Sequence, residues 1–516
     1  MAGVSASPLP AFAGRDVGWL VDRWAATAPD RTFLTWAPFD APVRRWTWSE
    51  FARDVAALQT GFARRGVRQG DPVALVMSNH PDFLLAWTAL TAMGAVAVCL
   101  NPRLSADELG YVGSHCGPVG AVVSGEVADV VSGAMPDLAW VAVSEGTGAD
   151  AVEALLRADP VERRPLVPGA AATSVQYTSG TTARPKGVVW TQANCLWAGK
   201  VGATHQGLRP DDTYLIHLPL FHTNALSYSF LSCLWSGTAL VLQPKFSASR
   251  FWDVSVDHRV TWTSVVSFVL RALADREVPD RHAYRGWGNS ANLDPSPVTG
   301  GVPVVGWFGM TETVSHPVVG DLHHQDAPGT IGRPAAEYDV RVVDDSGHSV
   351  APGETGNLHV RGVPGVSLFK EYLHDSDATA ATYADDGWFV TGDRLRLDMG
   401  GTLTFVERDK DVLKVGGENI GAPEIERVLL GVPGVREAAV VGKPDPMLGE
   451  VPVAFVVTHD GAEVTVGALA GRCSQMLADF KRPREVRIVD DLPRSTLNKV
   501  AKSRLRDLLS AEASGA

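Results

Sequence analysis

Between about Val17 and Val130 the chain alternates short apolar runs with segments of helical periodicity, a rhythm that few folds accommodate. Asp71-Pro-Val-Ala-Leu-Val-Met77 reads as a strand, Pro81 opens a helix, and Ala121–Ser124 and Trp140–Val143 resume the strand pattern. Runs this short that are apolar on both faces fit strands covered by helices on either side. That arrangement is a mostly parallel α/β sheet. Thr47-Trp-Ser-Glu50 carries the Thr-x-x-Glu pattern of a capping box, with Phe51, Val55, Leu58 and Phe62 following at helical spacing.

The texture changes twice. From about Gly329 to Gly362 the strands crowd together between turns, which predicts a small antiparallel, barrel-like β region. Beyond Arg408, strands at Glu437–Val441 and Val451–Val457, a helix around Val464–Phe480, a strand at Val486–Val489 and a last helix from Val500 predict a small α+β unit. The expected fold is therefore α/β. It has a large N-terminal domain over residues 1–408, of mostly parallel sheets flanked by helices plus the β region. A small C-terminal α+β domain covers 409–516. No long linker separates them, so the second should sit directly on the first.

Charge and cysteine content narrow the setting. A net charge of −12 argues against a dedicated nucleic-acid binder, which needs clustered Lys and Arg. The five cysteines are scattered, with no CxxC pair for zinc and no disulfide framework. Two uncharged stretches, Phe83–Leu100 and Thr223–Gln243, read as a helix then a strand and as a polar-broken segment, not as membrane spans. The N-terminus lacks a basic region followed by an apolar core, so a cytoplasmic location is expected.

The chemistry concentrates in Thr178-Ser-Gly-Thr-Thr-Ala-Arg-Pro-Lys-Gly187. Hydroxyls, glycines and a lysine this close together fit a polyphosphate cradle, in which N–H and O–H groups grip oxygens and Lys186 supplies charge. The Walker pattern does not fit, and composition alone would favour a solvated Ser/Thr turn. Gly286-Trp-Gly-Asn-Ser-Ala291 formally matches G-x-G-x-x-A but lacks the preceding strand and following helix of a dinucleotide site. No G-x-S-x-G elbow occurs, and His323-His324 has no zinc-like partner spacing.

In its order of motifs the chain resembles the adenylate-forming superfamily of acyl-CoA synthetases, peptide-synthetase adenylation domains and luciferases. Besides the phosphate loop, Leu218-Pro-Leu-Phe-His222 resembles the family's aromatic motif and Gly306-Trp-Phe-Gly-Met-Thr-Glu312 its adenine-side loop. Gly387-Trp-Phe-Val-Thr-Gly-Asp393 resembles the ribose-binding motif. The segment from Glu407 to Asn419 resembles the inter-domain hinge, and Leu492–Lys499 the terminal lysine motif. Gly365-Val-Ser-Leu-Phe-Lys-Glu-Tyr372 resembles, less specifically, carnitine/crotonobetaine CoA ligases.

The resemblance implies roles for each position. Thr178, Ser179, Gly180, Thr181, Thr182 and Lys186 would hold the β- and γ-phosphates of ATP. Glu312 would bind Mg²⁺, and Thr311 would touch the α-phosphate. Phe308 would stack on adenine beside Gly309 and Met310, while Asp393 and Arg408 would bind the ribose. Lys499 would bridge the acid carboxylate and the α-phosphate. His222 would gate the acid site. Lys410 would be the pivot that withdraws Lys499 and brings Gly416-Gly417 up to pass a pantetheine chain. Taken singly, Glu312 could be a surface carboxylate, Asp393 a turn residue, Lys499 a solvated side chain and His222 a packed core residue. Their order along one chain is what favours the functional reading.

There are departures from the pattern. Ala183 stands where relatives carry Gly, Phe308 replaces Tyr, and Asn498 precedes the terminal lysine. The stretch Gly288–Gly301 is short and rich in Pro and Gly. Trp307, where smaller side chains are common, should fill the acid pocket and select a small acid. The expected activity is an ATP- and Mg²⁺-dependent, AMP-forming acid:CoA ligase. The alternative is an adenylating enzyme of secondary metabolism with a carrier-protein thiol or an amine as acceptor, including activation of nitrite for diazotisation. Expected partners are the acid, ATP and CoA or another acceptor, without nucleic acid or a membrane span; a homodimer is compatible with this reading.

Overall fold

Thr47 begins the first long helix as its sequence suggests. Its hydroxyl accepts the Glu50 N–H and the Glu50 carboxylate accepts the Thr47 N–H, closing a capping box on the helix Trp48–Arg64. Phe51, Val55, Leu58 and Phe62 are all buried on one face of it. In this computed structural model residues 12–161, 165–178, 184–289, 295–408, 412–494 and 500–513 are described.

Two large sheets form the main body. In one, the strands Pro72–Val76, Val96–Leu100, Gly120–Ser124 and Val141–Ser144 run parallel with Ala172–Thr178, and Lys186–Thr191 turns back antiparallel at one side. The other is nine-stranded, with Thr213–Ile216, Ala239–Leu242, Trp262–Val265, Gly286–Asn289 and Val304–Phe308 parallel at its centre. Large aromatics fill the space between the sheets, among them Phe33 stacked on Trp48 at 3.8 Å and Trp87 set edge-on against Phe230. The mostly parallel α/β expectation is borne out.

The predicted β region is a four-stranded antiparallel sheet of Asp339–Val343, Thr355–Arg361, Phe389–Leu397 and Leu403–Arg408. The last sheet holds Val412–Val415, Glu418–Gly421, Val435–Asp445, Gly449–Thr458 and Glu485–Ile488, with its own buried cores on either face. The helix expected around Val464–Phe480 is shorter, Val466–Met476, because Leu477 is extended and a 3₁₀ turn at Asp479–Lys481 follows. The expected boundary between 408 and 409 falls at the edge of residues outside those described.

The two uncharged stretches resolve as a helix Pro81–Ala92 with the strand Val96–Leu100, and as a π-helix Asn224–Leu231, a short helix Ser232–Ser236 and the strand Ala239–Leu242. No helix among the described residues is long and apolar enough to cross a membrane. All five cysteines are free and buried. Gly286–Asn289 is itself a strand, so the accidental G-x-G pattern is not a loop following one.

Candidate active site between two lobes

Strand register sets predicted residues side by side in two places. The hairpin of Ala172–Thr178 and Lys186–Thr191 pairs Thr178 with Lys186, so the two stand on either side of the segment 179–185. Ser179, Gly180, Thr181 and Thr182 lie outside the described residues. Lys186 holds its Nζ 4.7 Å from the centre of the Tyr372 ring. Tyr372 in turn donates its hydroxyl to Glu312 Oε1 at 2.8 Å. Glu312 is buried in a 3₁₀ turn, Thr311–Thr313, just beyond the strand Val304–Phe308. Glu312 is thus not the solvated surface carboxylate its sequence position alone allows.

The turn is held rigidly. Trp190 Nε1 donates to the Thr311 carbonyl at 2.8 Å, and the Phe369 N–H donates to the Glu312 carbonyl at 2.8 Å. Val314 follows at φ 63°, a left-handed conformation that a β-branched residue adopts only under constraint. Thr311 Oγ1 lies 2.9 Å from Thr223 Oγ1, the residue after His222. Phe308 is buried at the end of its strand, with Gly309 and Met310 leading into the turn.

Asp393 is fully buried in the strand Phe389–Leu397, not in a turn. The register places it directly opposite Arg408 on the neighbouring strand, so the two proposed ribose contacts are cross-strand neighbours. Lys410 and Lys499 lie outside the described residues.

Gly416 and Gly417, at φ 60° and 96°, form the tight turn between Val412–Val415 and Glu418–Gly421. Two positive φ angles in succession are the backbone requirement of a two-residue hairpin loop, which glycine meets without steric cost. A side-chain carbon built on Gly417 would come within 3.9 Å of Val266, in the large body. Next to the turn, Glu418 Oε2 lies 3.1 Å from His222 Nε2, and Glu418 Oε1 accepts from Asn101 Nδ2 at 3.2 Å. Burial disfavours the charged form of His222, but the charge of Glu418 and the hydrogen bond to it outweigh that and raise its pKa. Burial likewise works against an ionised Glu418, and the His222 partner overcomes it and lowers the pKa. His222 is therefore partly exposed and bonded across the cleft, not a packed core residue.

Below the hairpin, Lys481 is buried between two carboxylates, 2.6 Å from Glu108 Oε1 and 2.7 Å from Glu424 Oε1. Glu108 belongs to the large body, where it also closes a capping box with Ser105, and its Oε2 accepts the Ala478 N–H at 3.1 Å. Arg103 grips Asp479 through two hydrogen bonds beside this group.

Trp307 is buried and stacks on His316 at 4.5 Å between ring centres. Burial, reinforced by His205, drives the His316 pKa well below the usual histidine value. A methyl group added at Gly288 would collide with the Trp307 indole, so the bare backbone of that strand is what admits the ring. The short helix Ser296–Thr299 borders the same region, and residues 290–294 lie outside those described.

Sequence reasoning overlooked Gln176, Thr223, Tyr372, Glu418, Glu108 and Lys481. Glu418 and Tyr372 stood inside recognised segments but carried no spacing signal. The Ser105-x-x-Glu108 pattern announces a helix start, not its second role across the lobes.

A large α/β body and a small lobe whose glycine hairpin reaches it beside His222 and Val266 give the frame of a two-lobed nucleotide-dependent ligase. A family model described as AMP-binding enzyme matches residues 21–373, and one for the AMP-binding enzyme C-terminal domain matches 424–499. The crotonobetaine/carnitine–CoA ligase of Proteus mirabilis is 32% identical over 511 residues, covering 94% of this chain and 98% of that protein. Among solved structures, a double mutant of o-succinylbenzoate CoA synthetase from Bacillus subtilis bound with its product analogue OSB-NCoA superposes with a TM-score of 0.83 at 30% identity, over 95% of this chain and 98% of that one. The same synthetase in complex with AMP superposes with a TM-score of 0.67 at 29% identity, over 95% and 98%. The chain belongs to the AMP-binding enzyme family and is an AMP-forming ligase.

Proposed function

We propose that the chain activates a small carboxylic acid with ATP and passes the acyl group to the thiol of CoA. The observation that carries this reading is the reach of the small-lobe hairpin. Glu418 bonds His222, and the next residue, Thr223, bonds Thr311 beside Glu312. The better superposition on the relative holding a CoA product analogue than on the same protein holding AMP supports a thioester-forming arrangement of the lobes.

A carboxylate is a poor electrophile, and attack on the α-phosphate of ATP turns one of its oxygens into part of a workable leaving group. Two anions must meet, so catalysis consists mainly of positioning and charge neutralisation. Lys186, Thr178 and the loop through Ser179, Gly180, Thr181 and Thr182 would hold the β- and γ-phosphates. Phe308, Gly309 and Met310 would line adenine, and Asp393 and Arg408 the ribose. Thr311 would bind the α-phosphate, and Lys499 would neutralise charge as the acid attacks.

The donor set at Glu312 fits Mg²⁺. It is a hard carboxylate with one oxygen fixed by Tyr372, and Mg²⁺ commonly combines one or two carboxylates with phosphate oxygens and water. When bound there, the ion would neutralise phosphate charge. A cage of three or more protein ligands is absent among the described residues and is not needed.

In the second step the small lobe, residues 409–516, would pivot at Lys410 and withdraw Lys499. Gly416-Gly417 would then line the path of pantetheine, with His222 at the acid site. Trp307 supports a short acid.

The test is acid-dependent exchange of labelled pyrophosphate into ATP across acetate, propionate, butyrate, crotonate, benzoate and octanoate, followed by CoA addition. Exchange with the shorter acids and an acyl-CoA product support the proposal. Exchange without a thioester would assign the acceptor elsewhere, to a carrier-protein thiol or an amine.

A further inference from the structure

Gln176 sits in the strand that leads into the phosphate loop, with its side chain almost wholly shielded. Its Oε1 accepts the Thr223 hydroxyl at 3.0 Å, and Thr223 Oγ1 lies 2.9 Å from Thr311 Oγ1. Its Nε2 is buried and has no hydrogen-bond partner. A buried amide N–H without a partner is uncommon in folded proteins and calls for an explanation.

Counting protons supplies one. Each threonine has a single hydroxyl proton. With Oε1 facing Thr223, the Thr223 proton goes to Gln176 and the Thr311 proton goes to Thr223. Both protons then point inward, and Thr311 offers only lone pairs to an approaching phosphate oxygen. An amide's oxygen and nitrogen are nearly the same size, so turning the group over leaves every heavy atom in place. Nε2 then donates to Thr223, Thr223 donates to Thr311, and the Thr311 proton is released toward the cleft. The same turn gives Nε2 a hydrogen-bond partner and leaves the unpartnered position to the carbonyl oxygen, which tolerates it better than an N–H does. The carbonyl of Thr311 is already anchored by Trp190, so it is side-chain proton direction, not backbone movement, that adapts the residue to an anion.

We infer that Gln176 is a positioning residue for the nucleotide: by donating into the chain Gln176–Thr223–Thr311 it makes the Thr311 hydroxyl a hydrogen-bond donor to the α-phosphate. The inference rests on the reading of Thr311 given above. It excludes an ionised carboxylate at 176, which can only accept and would hold both protons inward.

The test compares AMP with adenosine, which differ by the phosphate and need no knowledge of the acid. Their dissociation constants are measured calorimetrically for the unaltered protein, Gln176→Glu, Gln176→Met, Thr311→Val and the double variant Gln176→Glu/Thr311→Val. Gln176→Glu is expected to weaken AMP about tenfold with adenosine unchanged, the scale of one lost hydrogen bond to an anion. Gln176→Met, which fixes neither direction, should weaken AMP by no more than about threefold by the same scale. In the Thr311→Val background the added charge remains but the proton chain is gone, so the Gln176→Glu effect should shrink to about twofold. An equal loss in both backgrounds would reduce the effect to charge alone and overturn the inference. A parallel loss of adenosine binding, or a fall with Gln176→Met as large as with Gln176→Glu, would also overturn it, as a merely structural role. If Thr311→Val lowers AMP affinity while Gln176→Glu does not, the inference alone fails. If Thr311→Val leaves AMP affinity intact, the reading of Thr311 falls and the inference with it.

Discussion

Lys481 of the small lobe places its ammonium 2.6 Å from the carboxylate of Glu108, the residue that also caps a helix of the large body. Glu424 holds the same ammonium at 2.7 Å, and all three side chains are buried. Burial favours the neutral lysine, yet the two carboxylates prevail and raise its pKa. Glu424 and Lys481 belong to the same lobe, so docking adds Glu108 as a second carboxylate on one ammonium; burial and the Glu108 charge raise the Glu424 pKa, which eases the excess of negative charge.

Lys481→Met leaves two buried carboxylates facing each other. Removing one partner of a buried ion pair costs about 3–5 kcal/mol, and much of that falls on the docked orientation. Thioester formation from supplied acyl-adenylate should drop at least about tenfold, whereas pyrophosphate exchange should stay within about threefold. Rapid-quench measurement of each half-reaction decides it; equal losses would contradict a docking role.

The His222–Glu418 pair predicts a pH window for docking. The raised His222 pKa makes its contribution full below the ordinary histidine value and lost as pH rises through the raised one. The lowered Glu418 pKa makes its contribution full above the ordinary glutamate value and lost as pH falls through the depressed one. Docking should therefore be firmest between about pH 5 and 6.5, and weaken on the alkaline side. Fluorescence transfer between labels on the two lobes would follow it, and His222→Ala should abolish the alkaline limb.

Tyr372→Phe removes the hydroxyl from Glu312 but keeps the ring under Lys186. The exchange rate should fall by roughly tenfold, with the Mg²⁺ concentration for half-maximal activity moving upward. An unchanged Mg²⁺ dependence would separate Tyr372 from the metal.

Trp307→Ala opens the space over Gly288 and should shift exchange toward longer acids while lowering thermal stability by about 3–5 kcal/mol. Gly288→Ala collides with the indole and should be destabilising by about 1–3 kcal/mol. A specificity profile unmoved by Trp307→Ala would remove the indole from the acid pocket.

Local signals made much of this legible. The Thr47–Glu50 capping box, the proline at 81 and the short apolar strands announced the parallel body because each is decided by neighbouring residues. Order along the chain singled out Lys186 and Glu312, which the fold joins through Tyr372. What stayed hidden depends on pairing between distant segments. Tyr372 meets Glu312 through a strand that joins the edge of a sheet, and Gln176 meets Thr311 only through Thr223. Lys481 looks like one more surface lysine until the docked lobe buries it.

On the proposed reading a single cleft serves two reactions, and Lys499 of the small lobe is needed for the first alone. Lys499→Ala tests it when both half-reactions are followed on one preparation. Pyrophosphate exchange should fall by roughly a hundredfold or more, while CoA thioester formation from supplied acyl-adenylate should remain within about threefold of the unaltered protein. Equal loss of both, or full retention of exchange, would contradict it.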